Sequence, residues 1–423
     1  MMLPGRLFSP AIPIVLPVLL LIAVGLASIY EAAPLVLPIE GGFHATARVA
    51  LKSYFGKQCV AALVGAVLAF VVSRVRPNRI RSVGYSLYGS CLGVLAVLFV
   101  IARARNGAKS WLVLGPVSIQ PSEFMKLFFV LTLARYLMWR KTPDRMARLV
   151  VPALLALVPF GIILMQPDLG TALIFPAMFV AMMWVAGCGK RYMAFGVIAV
   201  LIGTPVAYKF GFKEYQKKRF EAFLNPQAMS QDAGFQLLQS QRAIGSGRWM
   251  GKGFAESDQE GSESFVPEKH NDFIFSVIGE EWGFLGASAV LLLYLILLMA
   301  MVHGAYRARE PFSRLVLTGL SAGFGTQIFV NVGMTIGLAP ITGITLPFLS
   351  YGGSSLVASL LSAGLAWNVV SRNMVTLAGK DFQEGASEVL DSVAPVVVTR
   401  GIQRVINAFQ RVLPTPIFLD IRF

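Results

Sequence analysis

Four clusters of ionisable and hydroxyl-bearing residues stand directly beside long apolar runs, where charged groups are costly and usually serve a function. The first contains Lys109, Trp111, Glu123 and Lys126; the last two are three residues apart and can form an ion pair on one helix face. The Pro-Ser pair before Glu123 is typical of a helix start, so a capping motif with a structural ion pair is the alternative. Capping does not explain an ion pair one turn inside an apolar run, so we predict a binding role.

Two further clusters each contain an aspartate at the edge of an apolar run. Asp168 stands in a short connection, where it is either a helix N-cap or a polar group that orients a ligand or binds an ion. Glu268, His270 and Asp272 stand where a long polar stretch meets an apolar run. Asp272 immediately precedes that run, and desolvation there would raise the pKa of its carboxyl toward the range of a general base. An N-cap role for Asp272 is the alternative.

The fourth cluster, residues 331–355, intersperses Gly and Pro with hydroxyl residues that include Ser350 and Ser354. Gly and Pro break helices, and irregular backbone at membrane depth is tolerated where it lines a cavity. The Gly-Gly-Ser-Ser run that begins at Gly352 could cradle a phosphate at a helix start, although close helix packing explains the glycines equally well. No dedicated protein metal cage is predicted.

The composition indicates a protein that is embedded in lipid. Of the 423 residues, 56% are hydrophobic and 14% are charged, whereas soluble domains are about 25% charged. A water-soluble fold could not cover so much apolar surface, and the length has room for about ten to twelve transmembrane helices. The formal net charge of +15 fits Lys and Arg in cytoplasmic loops near anionic lipid headgroups, so we expect no nucleic-acid binding.

Ten apolar runs predict an all-α polytopic membrane protein with about ten transmembrane helices. A large polar loop, residues 211–271, separates the seventh run from the eighth, and its part 235–244 is predicted to form a short amphipathic helix. The eighth run contains Glu280, Glu281 and Gly283, which indicates a broken or re-entrant start. The runs are 11–30, 58–73, 84–102, 121–138, 149–165, 169–187, 192–210, 273–302, 315–338 and 351–370.

The distribution of Lys and Arg in the short loops predicts the orientation, since cytoplasmic loops carry the excess. With a cytoplasmic N-terminus, the loops after the second, fourth, sixth and eighth runs lie inside and hold most of these cations. Both termini are then cytoplasmic, and the loop 211–271 and all four clusters lie on the outer side. Residues 1–375 would form the transmembrane domain, and 376–423 a cytoplasmic tail that could include an amphipathic helix on the membrane surface.

Five motifs that include these clusters follow one another along residues 11–375. They are Ala108-Lys-Ser-Trp-Leu with Gln120-Pro-Ser-Glu-Phe-Met-Lys-Leu, Gln166-Pro-Asp-Leu-Gly-Thr, Gln241-Arg-Ala-Ile-Gly-Ser-Gly, Pro267-Glu-Lys-His-Asn-Asp-Phe-Ile-Phe and Leu346-Pro-Phe-Leu-Ser-Tyr-Gly-Gly-Ser-Ser. Together they resemble the SEDS family (shape, elongation, division and sporulation), which includes RodA and FtsW. Each motif alone is moderately specific, whereas five in this order on a ten-helix frame are highly specific.

The resemblance implies a peptidoglycan glycosyltransferase that polymerises lipid II, an undecaprenyl-pyrophosphoryl disaccharide-pentapeptide, at the outer face of the bacterial cytoplasmic (inner) membrane. It implies that Asp272, which matches the family's essential aspartate, is the catalytic base. An acceptor hydroxyl would attack the anomeric carbon of the donor, while Lys109, Lys126 or a divalent cation (Mg²⁺ or Mn²⁺) neutralises the leaving pyrophosphate. Glu123 would hold Lys126, and Trp111 would shape the lipid or sugar cleft.

The resemblance also extends the site and implies partners. The remaining candidates for substrate binding are Asp168, Glu268, His270, Ser350 and Ser354. Family members act with a class B penicillin-binding protein, which crosslinks the new glycan, so we expect that partner. Other proteins of the cell-wall elongation or division complex are expected as well.

The branch within the family rests on a few residues. The Thr-Gly-Ile-Thr-Leu-Pro stretch from Thr342 and the Asn-Val-Gly-Met stretch from Asn331 favour the rod-elongation branch over the division branch. Departures from the family pattern include Asn271, where Thr is usual, and the Arg-Trp-Met stretch at Arg248. None of these departures removes an ionisable motif residue, so they bear on the branch and leave the chemistry unchanged.

A transporter is the alternative class. Ten helices with Gly- and Pro-interrupted spans and intramembrane ion pairs also describe a carrier or a lipid flippase. An alternating-access carrier needs polar sites near the midplane of the membrane, whereas the four clusters collect near one face. This asymmetry favours an enzyme.

Overall fold

The computed structural model describes residues 12–32, 53–101, 110–114, 117–139, 146–194, 196, 214–227, 233–253 and 271–372. The predicted site residues Lys109, Glu268 and His270 lie outside the described residues, as does the predicted tail 376–423. The helices are α1 (Ile12–Ala32), α2 (Tyr54–Arg74), α3 (Pro77–Ile101), α4 (Pro121–Leu137), α5 (Met146–Met165), α6 (Leu169–Val185), α7 (Glu214–Leu224), α8 (Ala233–Ser246), α9 (Ile274–Arg307), α10 (Pro311–Thr335) and α11 (Gly353–Ser371).

The helices form a multi-pass membrane protein. Seven of those in the described ranges, α1, α2, α3, α5, α9, α10 and α11, are long and apolar enough to cross a membrane. The helices α4 and α6 are shorter, with 17 residues each. Each predicted run coincides with a described helix except the seventh, 192–210, most of which lies outside the described residues.

The third span begins earlier than predicted. Pro77 occupies the first turn of α3, whereas the apolar run starts at residue 84. Proline suits the first helical position because the amide hydrogen that it lacks would have no partner there. Arg79 and Arg81, predicted to lie in a loop, therefore belong to the helix, and Arg81 forms an ion pair with Glu310 at the start of α10.

A small hairpin is the one departure from the predicted all-α fold in the described residues. Strand β1 (Leu112–Leu114) pairs antiparallel with β2 (Val117–Ile119), and Leu112 stands opposite Ile119. Strands of three residues are too short for their alternation to be recognised in the sequence. The hairpin leads directly into α4, so it lies at the end of the bundle where α4 begins.

Of the seven long spans, α10 and α11 are the most buried. Small residues let α11 approach α2 closely: a Cβ on Gly364 would lie 2.5 Å from the carbonyl oxygen of Ala69, and one on Gly65 would lie 2.6 Å from Leu360 Cδ1. Such small-residue contacts replace the hydrophobic driving force that is missing between helices in lipid. The tight packing fixes the ends of α11 relative to α2.

Hydrogen bonds define the two ends of the bundle. At one end, Gln120 before α4 contacts both Asp168 before α6 and Ser354 in α11. The start of α9 and the end of α10 meet at this same end, which we call the site end. At the opposite end, Asn368 of α11 donates to the carbonyl oxygens of Val72 and Val75, which close α2. The described members of the four predicted clusters therefore lie at one end of the bundle.

Candidate functional site

The site end is built around residues 336–352, an irregular segment between α10 and α11 that we call the site loop. Gly343 adopts a left-handed conformation (φ 76°) that favours glycine. The buried side chain of Gln58 fastens the loop, because its Nε2 donates to the carbonyl of Ser350 (3.0 Å) and its Oε1 accepts from the amide of Gly352 (3.1 Å). The irregular backbone is thus satisfied within the protein, as the membrane requires.

Asp272 lies half-buried just before α9, against the site loop. A Cβ placed on Gly343 would be 3.4 Å from Asp272 Oδ2, so the carboxylate lies over that glycine. The buried amide of Asn331 fixes the backbone here by donating to the carbonyl oxygens of Asp272 (2.9 Å) and Ile344 (2.6 Å). The alternative N-cap role for Asp272 is wrong, since Phe273 occupies the N-cap position.

The turn after α8 holds the start of α9 by direct backbone contact. A Cβ on Gly247 would lie 1.9 Å from the carbonyl oxygen of Gly279, and one on Gly251 would lie 2.0 Å from that of Glu281. Gly283 then interrupts α9 with φ 65° and ψ −161°, a combination that is almost restricted to glycine. The predicted break in the eighth run is therefore confirmed, and it separates the Asp272 segment from the membrane-crossing part of α9.

Polar contacts extend this junction. The Lys252 amide donates to the carbonyl oxygen of Glu280 (3.0 Å), and the Lys252 ammonium forms an ion pair with the Glu280 carboxylate (2.7 Å). Ser240 of α8 donates to the carbonyl of Thr335 (2.9 Å), which would otherwise lack a partner at the end of α10. The helix predicted at 235–244 is thus confirmed, and it covers the site end.

Arg219 of α7, which our sequence reasoning did not single out, lies beside Asp272. Its Nη1 is 3.6 Å from the same Cβ position on Gly343 that is 3.4 Å from Asp272 Oδ2, so a cation and a carboxylate approach one glycine. In the sequence Arg219 ends a Lys-Lys-Arg run, which is typical of a solvated loop. The signal that could have identified it is the helical spacing of apolar residues around it, with Ala222 buried.

The predicted ion pair between Glu123 and Lys126 is confirmed. The Lys126 ammonium donates to Glu123 Oε2 at 2.9 Å, and both side chains are buried. The pair faces a small cavity between α4, α6, α10 and α11, with about 20 Å³ of space accessible to water. Gln327 of α10 lines the same cavity, and its Nε2 has no hydrogen-bond partner among the described residues. The sequence reasoning missed Gln327, a single amide inside an apolar run.

Asp168 joins the starts of two helices. The N-cap interpretation is confirmed, since Oδ1 accepts from the Thr171 amide (3.0 Å), while Oδ2 accepts from Gln120 Nε2 (2.8 Å) and from Ser122 Oγ (3.5 Å). Burial raises the pKa of the Asp168 carboxyl, and the hydrogen bonds from Thr171 lower it. Both oxygens have protein partners, and a role in substrate binding stays a prediction.

The two predicted serines make internal contacts at the site end. Ser354 Oγ accepts from the Gln120 amide (3.1 Å) and donates to the carbonyl of Ser118 (3.1 Å), so it joins α11 to the hairpin and to α4. Ser350 Oγ accepts from the Leu346 amide (2.8 Å) and shapes the site loop. These contacts give both hydroxyls a structural role; substrate contact remains a prediction.

Only some members of the first and third clusters lie within the described residues. Trp111 is half-buried immediately before β1, at the same end of the bundle as Ser354. Lys109, Glu268 and His270 lie outside the described residues, so their approach to the site stays a prediction. The structure therefore brings together Glu123, Lys126, Asp168, Asp272, Ser350 and Ser354 at one end of the bundle.

Comparisons with known proteins identify the family. A family model described as "Cell cycle protein", which is named for FtsW, RodA and SpoVE, matches residues 14–374. Stage V sporulation protein E of Bacillus subtilis (strain 168) is 34% identical over 373 residues, with 85% of this chain and 97% of that protein covered. Peptidoglycan glycosyltransferase MrdB of Escherichia coli (strain K12) is 32% identical over 306 residues, with coverages of 72% and 82%.

A solved structure supports the same relationship in three dimensions. It concerns the structural coordination of polymerization and crosslinking by a peptidoglycan synthase complex, and one of its chains superposes on this one with a TM-score of 0.71. The two are 33% identical, with 84% of this chain and 96% of that chain covered. Sequence and fold agree over nearly the whole length of these relatives, and the chain belongs to the family of FtsW, RodA and SpoVE.

Proposed function

We propose that this protein is a peptidoglycan glycosyltransferase that polymerises lipid II on the outer face of the bacterial cytoplasmic membrane. The observation that carries the proposal is the placement of Asp272 beside Arg219 over the site loop, at the end of a membrane-embedded bundle. A relative that is 32% identical is named peptidoglycan glycosyltransferase MrdB, which supports the reaction class. The branch, elongation or division, stays a prediction.

In the proposed reaction Asp272 acts as the general base. It takes the proton of an acceptor sugar hydroxyl while that oxygen bonds to the anomeric carbon of the donor, and the lipid pyrophosphate leaves with the electrons of the broken C–O bond. The negative charge on the leaving group needs fixed positive charge nearby. Lys126 and Arg219 supply it among the described residues, and Lys109 is the third candidate. Glu123 holds the Lys126 ammonium at 2.9 Å.

A divalent cation, Mg²⁺ or Mn²⁺, fits this site as an ion shared with the substrate. The described residues contain no group of three or more His, Cys, Asp or Glu that could hold a metal ion by themselves. Mg²⁺ commonly binds one or two carboxylates together with substrate phosphates, so Asp272 and the pyrophosphate form a suitable pair of donors. Such an ion would neutralise the leaving group.

The membrane orientation follows from the loop charges. With both termini cytoplasmic, the site end faces outward, where lipid II presents its sugars. Residues 1–375 then form the catalytic transmembrane domain, with the loop 211–271 outside and the tail 376–423 in the cytoplasm. The proposed partners are a class B penicillin-binding protein and other proteins of the elongation or division complex. The solved synthase complex, which coordinates polymerization and crosslinking, supports a transpeptidase partner.

The decisive experiment is polymerisation by the purified full-length protein, alone and with its transpeptidase, from lipid II with Mg²⁺. We expect glycan strands from the wild type, and a loss of at least about 100-fold in Asp272→Asn and Asp272→Ala, the usual loss on removal of a general base. Glu214→Gln is the matched control, because that exposed carboxylate lies on α7 and pairs only loosely with Lys217 (3.7 Å). Wild-type rates in folded Asp272 variants would refute the base assignment.

A lipid flippase is the second candidate. The cavity at Glu123 and Lys126 lies between spans, and Gly283 breaks a long helix, as in carriers. Against this, the contacts among Gln120, Asp168 and Ser354 collect at one end of the bundle, whereas an alternating-access carrier needs polar sites near the midplane. Transport of fluorescent lipid II across proteoliposomes without polymerisation would favour the carrier.

A further inference from the structure

The cavity beside the Glu123–Lys126 pair lies well below the surface of the site end. Gln327 precedes the last residue of α10 by about two turns, which places it about 12 Å along the helix from the site end. Ser359 lies at a similar depth in α11. Their hydrogen-bond partners must come from the protein or from molecules that enter the cavity.

Two donor groups in the cavity, the Gln327 amide and the Lys126 ammonium, have N–H bonds with no acceptor among the described residues. Gln327 is 4% exposed and its Nε2, with two N–H bonds, has no acceptor in the described part of the chain. The Lys126 ammonium carries three N–H bonds, and Glu123 Oε2 is the one acceptor recorded for it within the described ranges. These donors line one empty space, so a ligand with acceptor oxygens would satisfy them together.

Water is the ligand that matches this geometry. Buried waters occupy polar cavities with two to four partners, whereas apolar cavities stay empty. A water molecule accepts from two donors and donates two hydrogens, so it can join the Gln327 amide and the Lys126 ammonium to the Glu123 carboxylate. The neighbouring Ser362 hydroxyl is already used, because it donates to the carbonyl of Ala358 (2.8 Å).

We propose that this cavity is an internal water-binding site, and that the bound water lets Gln327 position the Lys126 ammonium. Gln327 thereby acts on the reaction through Lys126 and has no contact with substrate. The water site itself is independent of the enzymatic reaction. The effect of Gln327 on catalysis rests on the proposed function, in which Lys126 faces the pyrophosphate.

X-ray hydroxyl-radical footprinting of the full-length protein tests the water directly, because radicals generated from a bound water oxidise the side chains that touch it. Met178 is 2% exposed and lines the cavity, whereas Met125 is fully buried and does not line it. We expect rapid oxidation of Met178 and none of Met125 in the wild type. Gln327→Leu should slow Met178 oxidation several-fold, and Ser362→Ala should leave it unchanged. Protection of Met178 equal to that of Met125, or no effect of Gln327→Leu, would overturn the water site.

Polymerisation kinetics test the positioning role separately. Misplacement of a charged group by a fraction of an ångström lowers turnover, so we expect kcat to fall about tenfold in Gln327→Leu with little change in KM. Gln327→Asn, which keeps the amide, should recover most of that loss. A fall in kcat with Met178 still oxidised at the wild-type rate would contradict positioning through water. Absence of polymerisation by the wild type would refute the proposed function, while the footprinting result would still stand.

Discussion

Two ion pairs with buried carboxylates, Glu310 and Glu123, stand at opposite ends of the bundle, and they differ in what surrounds them. At the opposite end, both oxygens of Glu310 have partners, since Oε1 pairs with Arg81 and Oε2 accepts from Ser313 (3.0 Å). That pair joins α3 to α10. At the site end, Glu123 and Lys126 belong to the same helix, three residues apart, and face a cavity. The first pair connects two helices, whereas both members of the second pair belong to α4, so it makes no connection between helices.

This difference distinguishes an ion pair that stabilises the fold from one that is expected to serve a function. An ion pair between helices with a fully bonded carboxylate is explained by architecture alone. A pair within one helix gains little for the fold, since such pairs are worth a few tenths of a kcal/mol even on an exposed surface. Burying it in a membrane span is costly, so the predicted binding role for the pair accounts for its place beside a cavity.

The largest effect on stability is expected at the opposite end. Glu310→Ala leaves the partly exposed Arg81 guanidinium without its carboxylate and should destabilise the protein by about 3 kcal/mol. Thermal unfolding in detergent measures the loss, and polymerisation per folded molecule should stay near the wild-type value. Replacement of both partners, Arg81→Met with Glu310→Leu, should recover much of the stability. A severe loss of specific activity in folded protein would contradict the proposal that this pair serves stability alone.

Removal of the cation at the site end should affect catalysis instead. Lys126→Met is expected to lower kcat by about 100-fold, a typical loss when a stabiliser of developing negative charge is removed. Thermal unfolding of the same preparation separates this from misfolding. Lys217→Met on the outer loop is the matched control, because that ammonium is more exposed and lies 3.7 Å from its carboxylate. Equal losses in both variants would contradict a specific role for Lys126.

The break in α9 gives the next largest effect. Gly283→Ala places a Cβ 2.3 Å from the Gly251 amide nitrogen and forces a disfavoured backbone conformation, at a cost of about 1–3 kcal/mol. We expect lower activity as well, because Asp272 is carried by the segment before the break. Gly325→Ala in α10, where an added Cβ would meet Leu298 Cδ1 at an ordinary contact distance of 3.9 Å, tests whether the effect is specific. Activity at the wild-type level would show that the junction is dispensable.

The smallest effect is expected at Asp168. Asp168→Ala removes an N-cap and should destabilise the protein by about 1 kcal/mol, which is the usual value of such a cap. Asp168→Asn keeps an acceptor for the Thr171 amide and should lose less. Both are measured by thermal unfolding beside polymerisation. A loss of activity as large as that of Lys126→Met would indicate that Asp168 has a direct role in catalysis.

Hydropathy predicted the membrane frame because each span must be apolar over most of its length. Local chemistry also predicted the N-cap at Asp168, the Glu123–Lys126 pair, the α8 helix and the break at Gly283, since each depends on residues close in sequence. These features require no knowledge of the tertiary fold.

The features that the sequence reasoning missed depend on distant residues. Arg219 is a candidate because it lies near Gly343 and Asp272, which are distant in sequence. Gln327 is a candidate because it lines a cavity that α4 and α11 also line. The N-cap alternative for Asp272 failed by one residue, because Phe273 occupies the N-cap position and the helix begins at Ile274. A boundary of that precision is set by the backbone contacts of the neighbouring turn, which no local pattern encodes.

The contact between Gly247, Gly251 and the start of α9 has a mechanical consequence. Backbone lies directly against backbone there, so no side chain stands between the two segments to bend and absorb movement. The turn after α8 and the stretch that carries Asp272 are therefore expected to move together, with Gly283 as the hinge. A displacement of α8 would then shift the Asp272 carboxylate and leave the rest of α9 in place.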